Sequence, residues 1–86
     1  MKASDVLLSL EWHNLSVKKI HSSNGREEIA VEYEHCEIKD DAVLVGAFGT
    51  GYDFEQACED YLNKIRGKTL VFNACSDNRK EVTVLG

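Results

Sequence analysis

Two stretches of the chain carry the clearest hydrophobic periodicity. In "EEIAVEYEHCEI" (residues 27–38) Ile29, Val31 and Tyr33 alternate with Glu28, Glu32 and Glu34. A period of two predicts a strand with one face packed and the other in water. Cys36 and Ile38 have the opposite parity to Tyr33, which predicts a bulge or twist near His35. In "FEQACEDYLNKIR" (residues 54–66) Phe54, Ala57, Cys58, Tyr61, Leu62 and Ile65 follow one another at intervals of three and one. That spacing lines one side of a helix, and Gly67 supplies the residue best suited to a left-handed cap.

The remaining segments fit around these two. Residues 4–12 read as a short helix with Ser4 as cap, Asp5 in its first turn, and Ala3, Val6, Leu7 and Leu10 on one side. Trp12 is expected to pack inward from that helix. "LSVKKI" (15–20) reads as a strand with Leu15 and Val17 on one face. It is joined to residues 27–38 by "SSNGR", where Asn24-Gly25 suits a type I′ hairpin turn. "KDD" (39–41) turns the chain into "AVLVGAF" (42–48), which is apolar on both faces and therefore predicts a central strand. "TLVFNA" and "KEVTVL" predict two more strands around "CSDNR". The expected order is α-β-β-β-α-β-β. This describes a single α+β domain over residues 1–86, with a mostly antiparallel five-stranded sheet and both helices packed on one face.

"AFGTGYDFEQ" (47–56) raises the question of a phosphate-binding loop, because two glycines run into a helix start. The third glycine of a dinucleotide-binding loop falls at Phe54, and the lysine with Ser or Thr that closes a Walker-type loop is missing. Asp53 at the cap and Glu55 in the first turn put carboxylates where a phosphate would sit. The expected roles are structural: a glycine corner, a capping-box-like pair of Asp53 with Gln56, and Tyr52 stapled onto the turn beyond.

Candidate chemistry is sparse. Cys36, Cys58 and Cys75 are odd in number, widely spaced and free of any CxxC pair, so they read as reduced thiols acting as small apolar residues. His35 and Cys36 are strand neighbours that point to opposite faces, and neither they nor His13 and His21 fall at a zinc-ligand spacing. No serine or cysteine sits in a nucleophile context, and the paired carboxylates lie on a solvated face that cannot raise their pKa. These features predict a protein that is not an enzyme and takes no cofactor. No apolar run approaches the ~20 residues of a membrane span. The broken apolar stretch at the N-terminus is unlike a signal peptide, so a cytoplasmic protein is expected.

Charge is the informative property. Residues 27–60 hold eleven acids against one base, whereas the flanking segments are net positive, at +2 before and +3 after, within an overall charge of −5. Such a block favours a basic partner and disfavours direct contact with nucleic acid. The candidate partner-binding residues are Glu28, Glu32, Glu34, Glu37, Asp40, Asp41, Glu55 and Glu59, on the first hairpin and the exposed side of the second helix. Alternate strand residues lie about 6.5–7 Å apart, near the step between phosphates, so Glu28, Glu32 and Glu34 are expected to imitate part of a phosphate row. Lys64, Arg66 and Lys68 complement the C-terminal end of the second helix. No stripe of lysines and arginines interleaves with aromatic residues, which disfavours an RNA- or DNA-binding sheet.

The segment "FEQACEDYLNKIRGKTLVFN" resembles small proteins encoded by phages and prophages of Gram-positive bacteria, in which a glycine corner, a similar helix and a "GKTLVF"-like strand recur. The likeness is best over residues 47–74. Around "DFEQA" (53–57) the chain also resembles HicB-type antitoxin domains, without a DNA-binding appendage. The phage resemblance implies a non-enzymatic inhibitor acting in the host cytoplasm. Its target would be the basic surface of a host nucleic-acid-binding protein or nuclease, as for anti-CRISPR proteins that occupy a nucleic-acid channel. The HicB resemblance implies the alternative, a toxin-neutralising or self-assembling interaction domain that uses a sheet edge or an apolar patch, and homodimerisation belongs to that reading.

Overall fold

Alternation in Glu27–Tyr33 (β2) does what the pattern requires: Val31 and Tyr33 are buried, Ile29 packs against them, and Glu28, Ala30 and Glu32 face the other way. In the computed structural model, which describes residues 2–9, 14–21 and 23–84, β2 is the centre of a three-stranded antiparallel sheet. Leu15–His21 (β1) lies on one side and Gly49–Gly51 (β5) on the other. A second antiparallel sheet has the order Val43–Val45 (β4), Cys36–Asp40 (β3), Thr69–Phe72 (β6) and Lys80–Thr83 (β7). The helices are Ala3–Leu8 (α1) and Phe54–Ile65 (α2).

The α+β class is as expected, but among the described residues seven strands in two sheets replace the expected five in one. One added strand comes from a predicted strand that breaks in two, the other from the glycine corner. Residues 27–38 divide at Glu34-His35, where His35 takes a left-handed φ of 54°. The turn resets parity, so that Tyr33 and Cys36 both address the core although they are three residues apart. Of residues 42–48 only Val43–Val45 is strand: β4 forms an outer strand of the second sheet, and the chain crosses to the first sheet as β5, built from the expected glycine corner at 49–51. The expected central strand is therefore a short edge strand. "KDD" does not turn as a unit either, since Lys39 and Asp40 belong to β3 and the tight loop is Asp41-Ala42, with Asp41 at φ 53°.

α2 obeys its periodicity. Ala57, Cys58, Tyr61, Leu62 and Ile65 are buried and Phe54 is half-buried, and burial of each large side chain contributes about 1.5–3 kcal/mol. Asp53 caps the helix by accepting from Gln56 N at 2.8 Å, while Gln56 Oε1 accepts from Tyr52 N at 3.0 Å. Gly67 closes it at φ 75°. Tyr52 makes no staple; it is exposed, and its hydroxyl accepts from Arg26 Nη1 at 3.2 Å.

Gly49 and Gly51 have a packing role rather than a corner role. A Cβ on Gly49 would run into Ala57 O and Tyr61 N, and one on Gly51 would come within 2.6 Å of Ala57 N. Only bare backbone lets β5 lie this close to α2. Asp60 of α2 then accepts from Thr50 N at 2.9 Å and pairs with Lys64 at 3.0 Å.

Both sheets share one core. The Tyr33 ring lies 5.6 Å from that of Tyr61 on α2 and 5.7 Å from that of Phe72 on β6. Its hydroxyl donates to Leu7 O of α1 at 2.7 Å. α1 is shorter than expected and Ser4 is not its cap; Leu7 is buried, with Ala3 and Val6 packed beside it. The expectations for Leu10 and Trp12 fall outside the described residues. The first hairpin also departs from expectation. His21 pairs with Glu27 across a five-residue connection in which Gly25 is left-handed, at φ 81°, and Asn24 is not, so no type I′ turn forms.

Candidate protein-binding site

The joint between the sheets is built from two left-handed residues. His35 (φ 54°) links β2 to β3, and Asn73 (φ 55°) follows β6. The two are tied together by Asn73 N donating to His35 O at 2.9 Å. Histidine and asparagine are among the non-glycine residues that tolerate this conformation. Beside the joint opens a cleft of about 420 Å³ lined by Glu32, His35, Glu37, Asn73, Cys75 and Ser76, with Tyr33 and Cys36 also contributing. Its lining contains no lysine or arginine. Among the described residues, neither Glu32 nor Glu37 forms an ion pair with a cation.

Cys36 registers the field at this joint. Burial pushes its thiol up to about 11; the hydrogen bond with Tyr61 works in the other direction, and Glu32 and Glu37 add to the rise. Two carboxylates at the ends of different strands thus act on one atom. Such a cleft can receive a cationic group. No set of three or more His, Cys, Asp or Glu side chains is arranged to hold a metal ion among the described residues.

The structure separates the eight acids singled out from the sequence. Glu28 and Glu32 share the outer face of the first sheet, but they flank Ala30, and Lys18 pairs directly across from Ala30. A lysine therefore stands between the two acids, and Glu34 lies beyond the strand, in the joining turn. The expected phosphate-like row is interrupted. Glu37 sits on the outer face of the second sheet opposite Val71, which is covered completely. On the far side of Val71, Glu81 bridges Lys39 at 3.3 Å and Arg79 at 3.2 Å. These two hydrogen-bonded cations hold the Glu81 carboxyl below its usual range. Asp40 is exposed at the end of β3 and Asp41 occupies the tight loop.

The helix acids lie elsewhere. Glu55 faces α1, accepting from Ser4 N at 3.2 Å and from Ser4 Oγ at 2.7 Å, so it caps that helix from outside. Glu59 is exposed on α2. Two further acids of the block also support the fold: Asp53 caps α2, and Asp60 holds β5. Burial works to raise the Asp60 pKa, but the Thr50 N–H and Lys64 outweigh it and keep the carboxyl low.

The structure thus brings together Glu32 and Glu37, with Glu34 in the turn between their strands, and leaves Glu28, Asp40, Asp41, Glu55 and Glu59 apart. Sequence reasoning missed His35, Asn73 and Ser76 as site neighbours. The parity change at His35 marked the joint, whereas nothing in the local pattern around Asn73 pointed to it. In comparisons with known proteins, no family model, curated protein or solved structure matches the chain. Among the described residues no helix is long and apolar enough to cross a membrane.

Proposed function

We propose that this chain is a non-enzymatic protein-binding module whose acidic cleft at the sheet joint receives a lysine or arginine of a partner. The observation that carries the reading is that Glu32 and Glu37 line one cleft from two different sheets, with no lysine or arginine in its lining. A carboxylate pair held on two rigid strands is pre-organised for a guanidinium or ammonium group, and charge-assisted hydrogen bonds of this kind are stronger than neutral ones. The excess of acid over base in residues 27–60 would draw a basic surface toward the protein. The partner class we put first is a host nucleic-acid-binding protein or nuclease, whose binding groove concentrates such side chains. With this partner the module acts as an inhibitor of phage origin, as the resemblance of residues 47–74 implies. Lys18 between Glu28 and Glu32 argues for capture of individual basic residues rather than imitation of a phosphate row.

The test is a pull-down from a Gram-positive host lysate at low and high salt, using wild type, Glu28→Lys and the double variant Glu32→Lys/Glu37→Lys, each checked for folding by circular dichroism. The expected result is a basic protein retained at low salt and released at high salt. Glu28→Lys should still hold it and the double variant should lose it. Retention by the double variant, or retention indifferent to salt, refutes the cleft as the contact.

A further inference from the structure

Each sheet has two edges, and three of the four are guarded. β1 carries Lys18 and Lys19, and β7 carries Lys80 and Glu81. β5 is covered by α2, whose Asp60 takes the Thr50 N–H. Charges and coverings of this kind are how proteins stop strand edges from recruiting other strands. Among the described residues, β4 has neither device. Its three residues are Val43, Leu44 and Val45, with Val43 61% and Val45 44% exposed. This is also the stretch whose hydrophobic pattern is that of a strand with neighbours on both sides, yet among the described residues β3 alone pairs with it.

The geometry points to a second copy of this chain as the missing neighbour, with β4 pairing antiparallel to itself about Leu44. In that register Leu44 meets Leu44, and Val43 of each copy meets Val45 of the other. Val43 and Val45 share the face that bears Ile38, because Val45 pairs with Ile38 in β3. The four valines therefore extend the apolar face of the second sheet across the seam, and the two four-stranded sheets become one of eight. Charge selects this direction. Asp40 and Asp41 stand just before β4, so antiparallel pairing sends the aspartates of the two copies to opposite ends of the seam, whereas parallel pairing would set them side by side. A foreign strand would have no such self-complementary register to exploit. The seam is short and made of apolar contacts and backbone hydrogen bonds, so the dimer is weak, and salt has little effect on it.

Sedimentation of the full chain, in a Cys75→Ser background that removes the exposed thiol, tests this over about 10 μM to about 1 mM, the range of weak association. The expected result is a reversible monomer–dimer equilibrium unchanged by salt. Val43→Lys/Val45→Lys should weaken it at least about tenfold, the effect of like charges facing each other across a strand pair. Val17→Lys, on the exposed β1 position, should leave it unchanged. In the same background, Leu44→Cys should form a covalent dimer on mild oxidation, since directly opposed strand residues fall within disulfide reach, and Val17→Cys should not. A monomer throughout the range overturns the inference. So does a dimer that survives both β4 lysines, or one that Val17→Lys disrupts.

Discussion

The phenol oxygen of Tyr61 lies 3.2 Å from the backbone nitrogen of Tyr33 and accepts its hydrogen. One side chain of α2 thereby satisfies the last residue of β2 at the point where the chain leaves the first sheet, and the two rings pack edge to face at 5.6 Å. Tyr61→Phe keeps the ring and removes this acceptor, together with the hydrogen bond between Tyr61 and Cys36. The expected loss is about 1–2 kcal/mol, measured as a lower urea midpoint at unchanged slope.

The close approach of β5 to α2 separates two glycines by consequence. Gly49→Ala drives a methyl group into the backbone of Ala57 and Tyr61 and should cost about 1–3 kcal/mol or more through overpacking. Gly46→Ala, where the added Cβ meets nothing within 4 Å, should leave stability within about 0.5 kcal/mol, as at other open positions. Thermal melts of the two variants side by side make the comparison.

Glu55 holds α1 in place through Ser4. Glu55→Ala should destabilise the fold by about 1.5–3 kcal/mol, the range for hydrogen bonds to a charged group, reduced somewhat by the partial exposure of the pair. Amide exchange in α1 should quicken more than exchange in β2 or β6. If Glu55 served only a partner, exchange in α1 would not change.

Two thiols make stability fall in alkaline solution. Burial pushes Cys58 up to about 11, with Glu55 adding to the effect, and Cys36 also reaches about 11, again chiefly through burial. Between the ordinary thiol value near 9 and that raised value, the unfolded chain has released protons that the folded chain retains. Unfolding free energy therefore decreases as pH rises through this window, and the thiol contribution is fully present below it. Urea midpoints taken from pH 8 to about pH 11 should fall, and Cys36→Ala/Cys58→Ala should flatten the decline below about pH 10. Above that, Tyr33 and Tyr61, both pushed up chiefly by burial, also retain protons that the unfolded chain releases. Iodoacetamide at neutral pH should label exposed Cys75 well before either of the others.

Where periodicity was unbroken, the sequence was sufficient. The register of α2 and the inward face of β2 both follow from local pattern, and the Asp53 cap follows from helix-end chemistry. Boundaries and neighbours were harder to read. Residues 27–38 look continuous because a left-handed histidine leaves only a parity change behind. Residues 42–48 look central because hydrophobicity records that a face prefers cover without recording what covers it. The candidate site was half legible. Glu32 and Glu37 were both singled out as acids, but their meeting depends on the pairing of β3 with β6 and on the tie between Asn73 and His35. Those are long-range relationships that composition and spacing do not encode. The tie of Glu55 to Ser4 was hidden for the same reason, because the two lie 51 residues apart.

The left-handed joint at His35 also acts as a goniometer. Glu32 and Glu37 are fixed to separate layers, so the span between their carboxylates follows from one backbone setting rather than from either acid. On the reading proposed above, selection can retune the grip on a guanidinium or an ammonium by adjusting that pivot and its asparagine brace, while both anionic side chains keep their places in the sequence.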